Sequence, residues 1–193
     1  MSQIDLLPLD NPLPPGLIYQ SDFIAADEEA SLVAAMKNLN FTAPTMHGVA
    51  AKRRTVHFGR SYDFNSFWLG DAPPLPDFLE PVRERAATLT ARAPEEFGET
   101  LVTEYSPGAG IGWHRDAPAF GIIVGVSLVA ACTMKFRPWP VAKNSGQRTK
   151  PLGKLLEPRS VYVLDGEVRQ RWQHSIAPGS ALRYSITFRT LRG

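Results

Sequence analysis

The sequence predicts an α+β domain in which helices come first and a β sandwich or barrel follows. Helical periodicity is confined to the residues before Pro94; beyond it come short β-branched runs broken by glycine and proline. The chain has 193 residues, 44% hydrophobic and 10% aromatic, which suits one domain with a sizeable core and excludes intrinsic disorder. No internal repeat or linker divides it.

The elements follow in order. Pro8, Pro12, Pro14 and Pro15 make residues 1–20 an extended arm, because proline fixes φ and removes a donor. Asp27–Leu39 reads as the first helix. Its acids Asp27, Glu28 and Glu29 stand at the positive end of the dipole, Lys37 lies in its last turn, and Leu32, Val33, Met36 and Leu39 share one face. Pro81–Ala91 is the second, with Pro81 in the first turn and Val82, Ala86 and Leu89 at helical spacing. Leu101–Tyr105, Ile122–Ala130, Cys132–Phe136, Val161–Leu164, Arg171–Ile176 and Leu182–Phe188 read as strands. Ala117–Met134 carries no formal charge over 18 residues, the length of a membrane span. Pro118, Gly121, Gly125, Ser127 and Thr133 in a Val- and Ile-rich run make it two buried strands instead. No basic, apolar leader opens the chain, and its one cysteine, Cys132, read as a strand residue, suits a reducing compartment. A cytoplasmic monomer without a membrane partner is expected.

Charge is unevenly placed. Lys135–Arg159 holds seven basic residues against one acid, net +6, and leaves the rest of the chain at −4. The middle of that segment, residues 141–151, reads as a mobile polar loop, and a second basic cluster, Lys52-Arg53-Arg54, lies near Arg60. Two basic patches on a nearly neutral chain point to a polyanion, although a solvated loop would look the same.

Chemistry concentrates on few residues. Of the four histidines, His114 is followed two residues on by Asp116, a spacing that puts both side chains on one face of a strand. His174 stands 58 residues beyond Asp116, at the end of another strand. Two imidazoles and one carboxylate form the facial triad of non-haem Fe(II) oxygenases and leave coordination positions open. In Arg183–Arg189, alternation puts Arg183, Ser185, Thr187 and Arg189 on one face, opposite Tyr184, Ile186 and Phe188. Turned inward, the two arginines require anionic partners such as a dicarboxylate; turned outward, they are the polar face of an edge strand.

Thr103-Glu104-Tyr105-Ser106-Pro107-Gly108-Ala109-Gly110-Ile111-Gly112-Trp113-His114-Arg115-Asp116, then Trp172-Gln173-His174-Ser175-Ile176, then Arg183–Arg189, resemble the AlkB family of Fe(II)- and 2-oxoglutarate-dependent dioxygenases. Tyr105 stands nine residues before His114, and Arg183 nine after His174. Residues 52–64 resemble the nucleotide-recognition lid of bacterial members, so the resemblance spans roughly residues 20–191.

The resemblance implies a double-stranded β-helix, or jelly roll, with N-terminal supporting helices. The lid would lie at about 41–70 and the β-helix core at about 99–191, all within one domain over 1–193. It implies that His114, Asp116 and His174 hold Fe(II). Arg183, helped by Tyr105, would pair with the distal carboxylate of 2-oxoglutarate, and Arg189 would lie near the metal-proximal carboxylate and Asp116. Thr103 and Ser185 stand where the best-known members have co-substrate asparagines, and a shorter hydroxyl can still hydrogen-bond. Ala117-Pro118-Ala119 replaces acids that help the archetype read the base.

The activity implied is oxidative dealkylation of N-alkylated bases in single-stranded DNA or RNA, using O2 and releasing succinate, CO2 and formaldehyde. His57, Phe58, Tyr62, Phe64 and Trp113 are the aromatic candidates to hold a flipped base, while Arg53, Arg54, Lys143 and Arg148 would grip phosphates. His47 has no assigned role. Two alternatives stay open: the same oxygenase chemistry on a protein side chain or tRNA, and a non-catalytic jelly-roll binding module.

Overall fold

The computed structural model describes residues 13–46, 49–63, 66–140 and 150–192. Strand β1 (Leu17–Gln20) is followed by helix α1 (Ala26–Met36), then β2 (Thr45–Met46), β3 (Val49–Ala50), β4 (Arg54–Phe58), β5 (Arg60–Asp63) and β6 (Trp68–Asp71). After α2 (Glu80–Leu89) come β7 (Glu99–Tyr105), β8 (Ile111–His114), β9 (Phe120–Leu128), β10 (Cys132–Pro138), β11 (Leu152–Leu156) and β12 (Val161–Leu164). The short α3 (Gly166–Arg171), β13 (Trp172–Ile176) and β14 (Arg183–Leu191) complete the order.

Two antiparallel sheets make the jelly roll. The larger runs β1-β12-β9-β14-β7-β4 and the smaller β11-β10-β13-β8, while β2–β3 and β5–β6 are separate hairpins. The outer face of the larger sheet carries Val102, Val124, Val126, Ile186 and Phe188, which pack with Leu32 and Met36 of α1 and Val82 and Ala86 of α2. Burying each large apolar side chain contributes about 1.5–3 kcal/mol, so this sheet-on-helix layer is the main stabilising contact. Arg85 of α2 reinforces it by donating to Glu28 of α1 at 2.9 Å.

Several boundaries differ from expectation. The expected arm ends in a strand, because Leu17–Gln20 pairs with β12 from Leu17↔Leu164 to Gln20↔Val161. Helix α1 stops before Lys37: Asn38 and Leu39 donate to Ala35 and Met36, tightening the last turn. Helix α2 stops before Thr90, and Ala91 follows at a φ of 52°, which no helix continues through. Helix α3, not anticipated, begins where Asp165 Oδ1 accepts from the Gly166 N–H. The uncharged run splits into β9 and β10 as expected, and no described helix is long and apolar enough to cross a membrane.

Alternation then fills the roll. Tyr162, Gly125 and Thr187 lie in register across β12, β9 and β14. A Cβ on Gly125 would stand 2.1 Å from Tyr162 Cζ, so only glycine leaves room for the ring. Gly112 has nothing within 4 Å of its Cβ position. Gly125→Ala is expected to cost about 1–3 kcal/mol in a urea titration, while Gly112→Ala stays close to wild type.

Candidate active site

The roll encloses a cavity of about 420 Å³ lined by both sheets. His114 and His174 face each other across β8 and β13, with ring centroids 4.3 Å apart. Asp116 lies just past the end of β8, so a loop, not strand alternation, brings it to the histidines. Ligand atoms of His114, Asp116 and His174 all lie within 4.8 Å of one another and could hold one metal ion. His114 Nδ1 donates to the Gly112 carbonyl at 2.9 Å, which leaves Nε2 free for a metal.

The turn before these ligands is built by the Ser106-Pro107-Gly108-Ala109 run. Ala109 N–H donates to the Ser106 carbonyl at 2.8 Å, and Gly108 has a φ of 82°. Proline at the second position and glycine at the third are what a type II turn requires.

Arg183, Ser185, Thr187 and Arg189 are all buried, and they face inward: the last three line the cavity and Arg183 borders the one beside it. Arg189 donates to Asp116 Oδ1 at 2.9 Å and to Glu99 Oε2 at 2.9 Å. Glu99, 1% exposed, also pairs with His57 Nδ1 at 2.8 Å. Arg183 donates through Nε to Ser127 Oγ at 3.1 Å and lies 5.0 Å from the Tyr105 ring centroid. Its Nη1 and Nη2 are buried without a partner. An orphaned guanidinium is costly, and a carboxylate would satisfy both nitrogens at once, so the residues present fit a dicarboxylate. Arg183 borders a second cavity of about 180 Å³, whose wall Tyr105 and Ile176 share with the main one.

Burial pushes His174 down to about 3, and His114 adds to the fall against the pull of Asp116. Burial acts to raise the Asp116 carboxyl, yet Arg189, with the two histidines, outweighs it and holds the group below the ordinary carboxylate range. Burial likewise disfavours charge on Arg189, but Glu99 and Asp116 overcome it and keep the guanidinium charged. The cluster is thus two imidazoles, one of them strongly disposed to neutrality, beside a fixed carboxylate.

Of the other expected residues, Arg53, His57, Tyr62, Trp113, Thr103, Tyr105 and Ser185 line the cavity. The pleat of β4 turns Thr55 and His57 inward. Arg54 is on the other face, held by Glu104 at 2.8 Å, and does not reach the cavity. Phe58 packs in the helix-side core. Cys132 is half-buried at the start of β10, and burial pushes its thiol up. His47, Phe64, Lys143 and Arg148 lie outside the described residues, with most of the basic loop. Glu99 and Tyr162 were not anticipated. Glu99 continues the inward alternation of Leu101, Thr103 and Tyr105 two residues upstream, where the strand was expected to begin at Leu101.

Residues 20–189 match the 2OG-Fe(II) oxygenase superfamily. The chain belongs to that family. It is AlkB-like: 31% identical over 184 residues to an "Alkylated DNA repair protein ALKBH8 homolog" of Arabidopsis thaliana, covering 84% of this chain and 51% of that protein. It is 30% identical over 179 residues to the Mus musculus "tRNA (carboxymethyluridine(34)-5-O)-methyltransferase ALKBH8", covering 86% and 25%. This chain therefore spans about half of the plant relative and a quarter of the mouse one. The structure titled "The structure of OsALKBH1" superposes with a TM-score of 0.71 at 17% identity, over 93% of this chain and 99% of that one, and shows the same fold. Members of this family are Fe(II)- and 2-oxoglutarate-dependent oxygenases, and the His114, Asp116 and His174 cluster is a donor set that could hold the metal.

The protonation of His174 has a consequence for stability. Unfolded, it takes a proton near 6.5; folded, only near about 3. The unfolded chain therefore binds the extra proton between those values, so stability present above pH 6.5 is lost as pH falls. Chelator-treated protein is expected to melt at steadily lower temperature from pH 6.5 to about 4.5, and His174→Gln is expected to flatten that slope in a fluorimetric melt series.

Proposed function

We propose that this chain oxidatively removes alkyl groups from nucleobases of single-stranded DNA or RNA, acting as a monomer in the cytoplasm. We further propose that His114, Asp116 and His174 hold the Fe(II). The observation that carries the reading is the cavity itself. The three ligands stand in its wall, and it is large enough for a small ligand and an inserted base.

When bound, Fe(II) supplies the oxidising chemistry by activating O2 at the expense of 2-oxoglutarate. The chain's own residues do the rest. Arg183 takes the distal carboxylate on Nη1 and Nη2, with the Tyr105 hydroxyl beside it. Thr103 and Ser185, paired across β7 and β14, offer hydroxyls to the co-substrate. Arg189 occupies Asp116 Oδ1 and so presents Oδ2 to the metal.

A flipped base enters between Tyr62, Trp113 and His57. Tyr62 is steadied edge-on against Phe120, at a centroid distance of 6.1 Å. Glu99 holds His57 Nδ1, so the other imidazole nitrogen is available to the base edge. Arg53 and Arg115 line the cavity, where they take phosphates, and the β2–β3 and β5–β6 hairpins act as the lid. Trp139 and Trp113 carry stacked guanidiniums, Arg115 at 5.1 Å and Arg137 at 4.4 Å. Such pairs give flat, cationic surfaces to single-stranded bases.

A second reading keeps the chemistry and places the substrate on tRNA. The name of the mouse relative favours it, as does the likeness over 86% of this chain.

Formaldehyde and succinate release decides between them. With Fe(II), 2-oxoglutarate and a single strand bearing 1-methyladenine or 3-methylcytosine, formaldehyde is expected above the unmethylated control. Succinate without formaldehyde on that strand, but with turnover of tRNA, would support the second reading. His114→Ala, Asp116→Ala and His174→Ala are each expected to abolish succinate formation. Arg183→Ala is expected to raise the 2-oxoglutarate KM about a hundredfold, because it removes a buried charge-assisted pair.

A further inference from the structure

Tyr162 stands on β12 with its side chain on the cavity side, 6% exposed. Its ring does not stay over its own strand. The Cβ that Gly125 lacks would lie 2.1 Å from Tyr162 Cζ and 2.4 Å from both Cε1 and the hydroxyl oxygen. The ring end therefore covers Gly125 on β9 and carries the hydroxyl toward β14, whose Ser185, Thr187 and Arg189 line the same cavity, while Ser127, two residues along β9, holds Arg183 beside it.

That hydroxyl forms no hydrogen bond with any described residue. A buried hydroxyl is ordinarily paired, so one left open toward a cavity marks the place of a ligand atom. Burial holds its proton on, and Arg183 exerts the largest of the charge effects on it, ahead of Asp116 and Arg189. Arg183 has its own two unpartnered nitrogens. The Tyr162 hydroxyl in the main cavity and Arg183 Nη1 and Nη2 beside the adjoining one are thus three donors to which no described residue offers an acceptor. Donors without an acceptor require an anion with several oxygens.

We propose that the Tyr162 hydroxyl donates a hydrogen bond to 2-oxoglutarate, at the carboxylate that Arg183 takes. The inference rests on the co-substrate placement given under Proposed function. It also gives Gly125 a purpose, since any side chain there would occupy the position of the hydroxyl. Thr103 and Ser185 contribute only short hydroxyls from β7 and β14. A long phenol reaching in from β12 supplies a third contact from another direction.

Tyr162→Phe removes the hydroxyl and keeps the ring. Binding of 2-oxoglutarate to Mn(II)-loaded protein, followed by titration calorimetry, reads the contact without turnover. The Kd is expected to rise about tenfold, with Mn(II) affinity and melting temperature unchanged, as for loss of one hydrogen bond to a charged group. 2-Oxobutyrate keeps the oxo-acid end and lacks the distal carboxylate, and it is expected to bind wild type and variant alike. An unchanged Kd for 2-oxoglutarate overturns the proposal. An equal loss for both acids overturns it too, because the hydroxyl would then serve the metal-side end. Wild-type protein that binds Mn(II) but no 2-oxoglutarate overturns the co-substrate placement and the proposal together.

Discussion

Arg189 is buried between Asp116 and Glu99, 2.9 Å from an oxygen of each, and most of the site's geometry follows from that placement. Glu99 is its direct cross-strand partner on β7, so the register of β14 against β7 sets one contact. The other reaches a loop residue beyond β8, which the sheet alone would not fix. Removing either carboxylate would leave a buried cation half-paired, a change worth several kcal/mol in comparable settings. The pair is thus weak evidence for stability but strong evidence for position: one Asp116 oxygen is committed and the other is turned to the histidines, 3.5 Å from His174 Nε2.

The same carboxylate extends the constraint outward. Glu99 holds His57 of β4 through Oε1 while it holds Arg189 through Oε2, so a residue at the cavity wall and the arginine that holds Asp116 share one support. β4 is the last strand of the larger sheet and leads, through Gly59, into the β5–β6 hairpin. A substitution at Glu99 would therefore disturb the base side and the ligand side together. Effects of residues coupled in this way do not add.

The legible part of this fold was the part with uninterrupted alternation. Arg183–Arg189 reads inward and outward by turns, with core residues on one face, and β14 has that pattern. The two-residue spacing of His114 and Asp116 suggested one face of a strand, whereas the two meet because a loop follows β8, which ends at His114. What escaped were contacts that no local pattern encodes. Tyr162 looks like another apolar member of a short buried strand, and only the pairing of β12 with β9 shows the glycine beneath it. Arg54 and Arg53 are adjacent and chemically alike, yet the pleat sends one to Glu104 and the other to the cavity. The β5–β6 pair lies outside both main sheets and lacks the half-buried alternation that reveals a strand.

Charge balance ties the two halves of the site together. Asp116 and Glu99 share the buried Arg189, while the buried Arg183 lies beside the adjoining cavity with no carboxylate of its own. On the proposed placement, a divalent cation and a dicarboxylate add equal and opposite charge. Either one alone would leave two unbalanced charges in a buried space, where the penalty is far larger than in water. The cation draws on two imidazoles and a single carboxylate, too little negative charge to neutralise it. The dianion draws on Arg183 and on neutral hydroxyls. Each ligand thus completes the electrostatic environment of the other, which makes their binding cooperative by linkage without any change of shape.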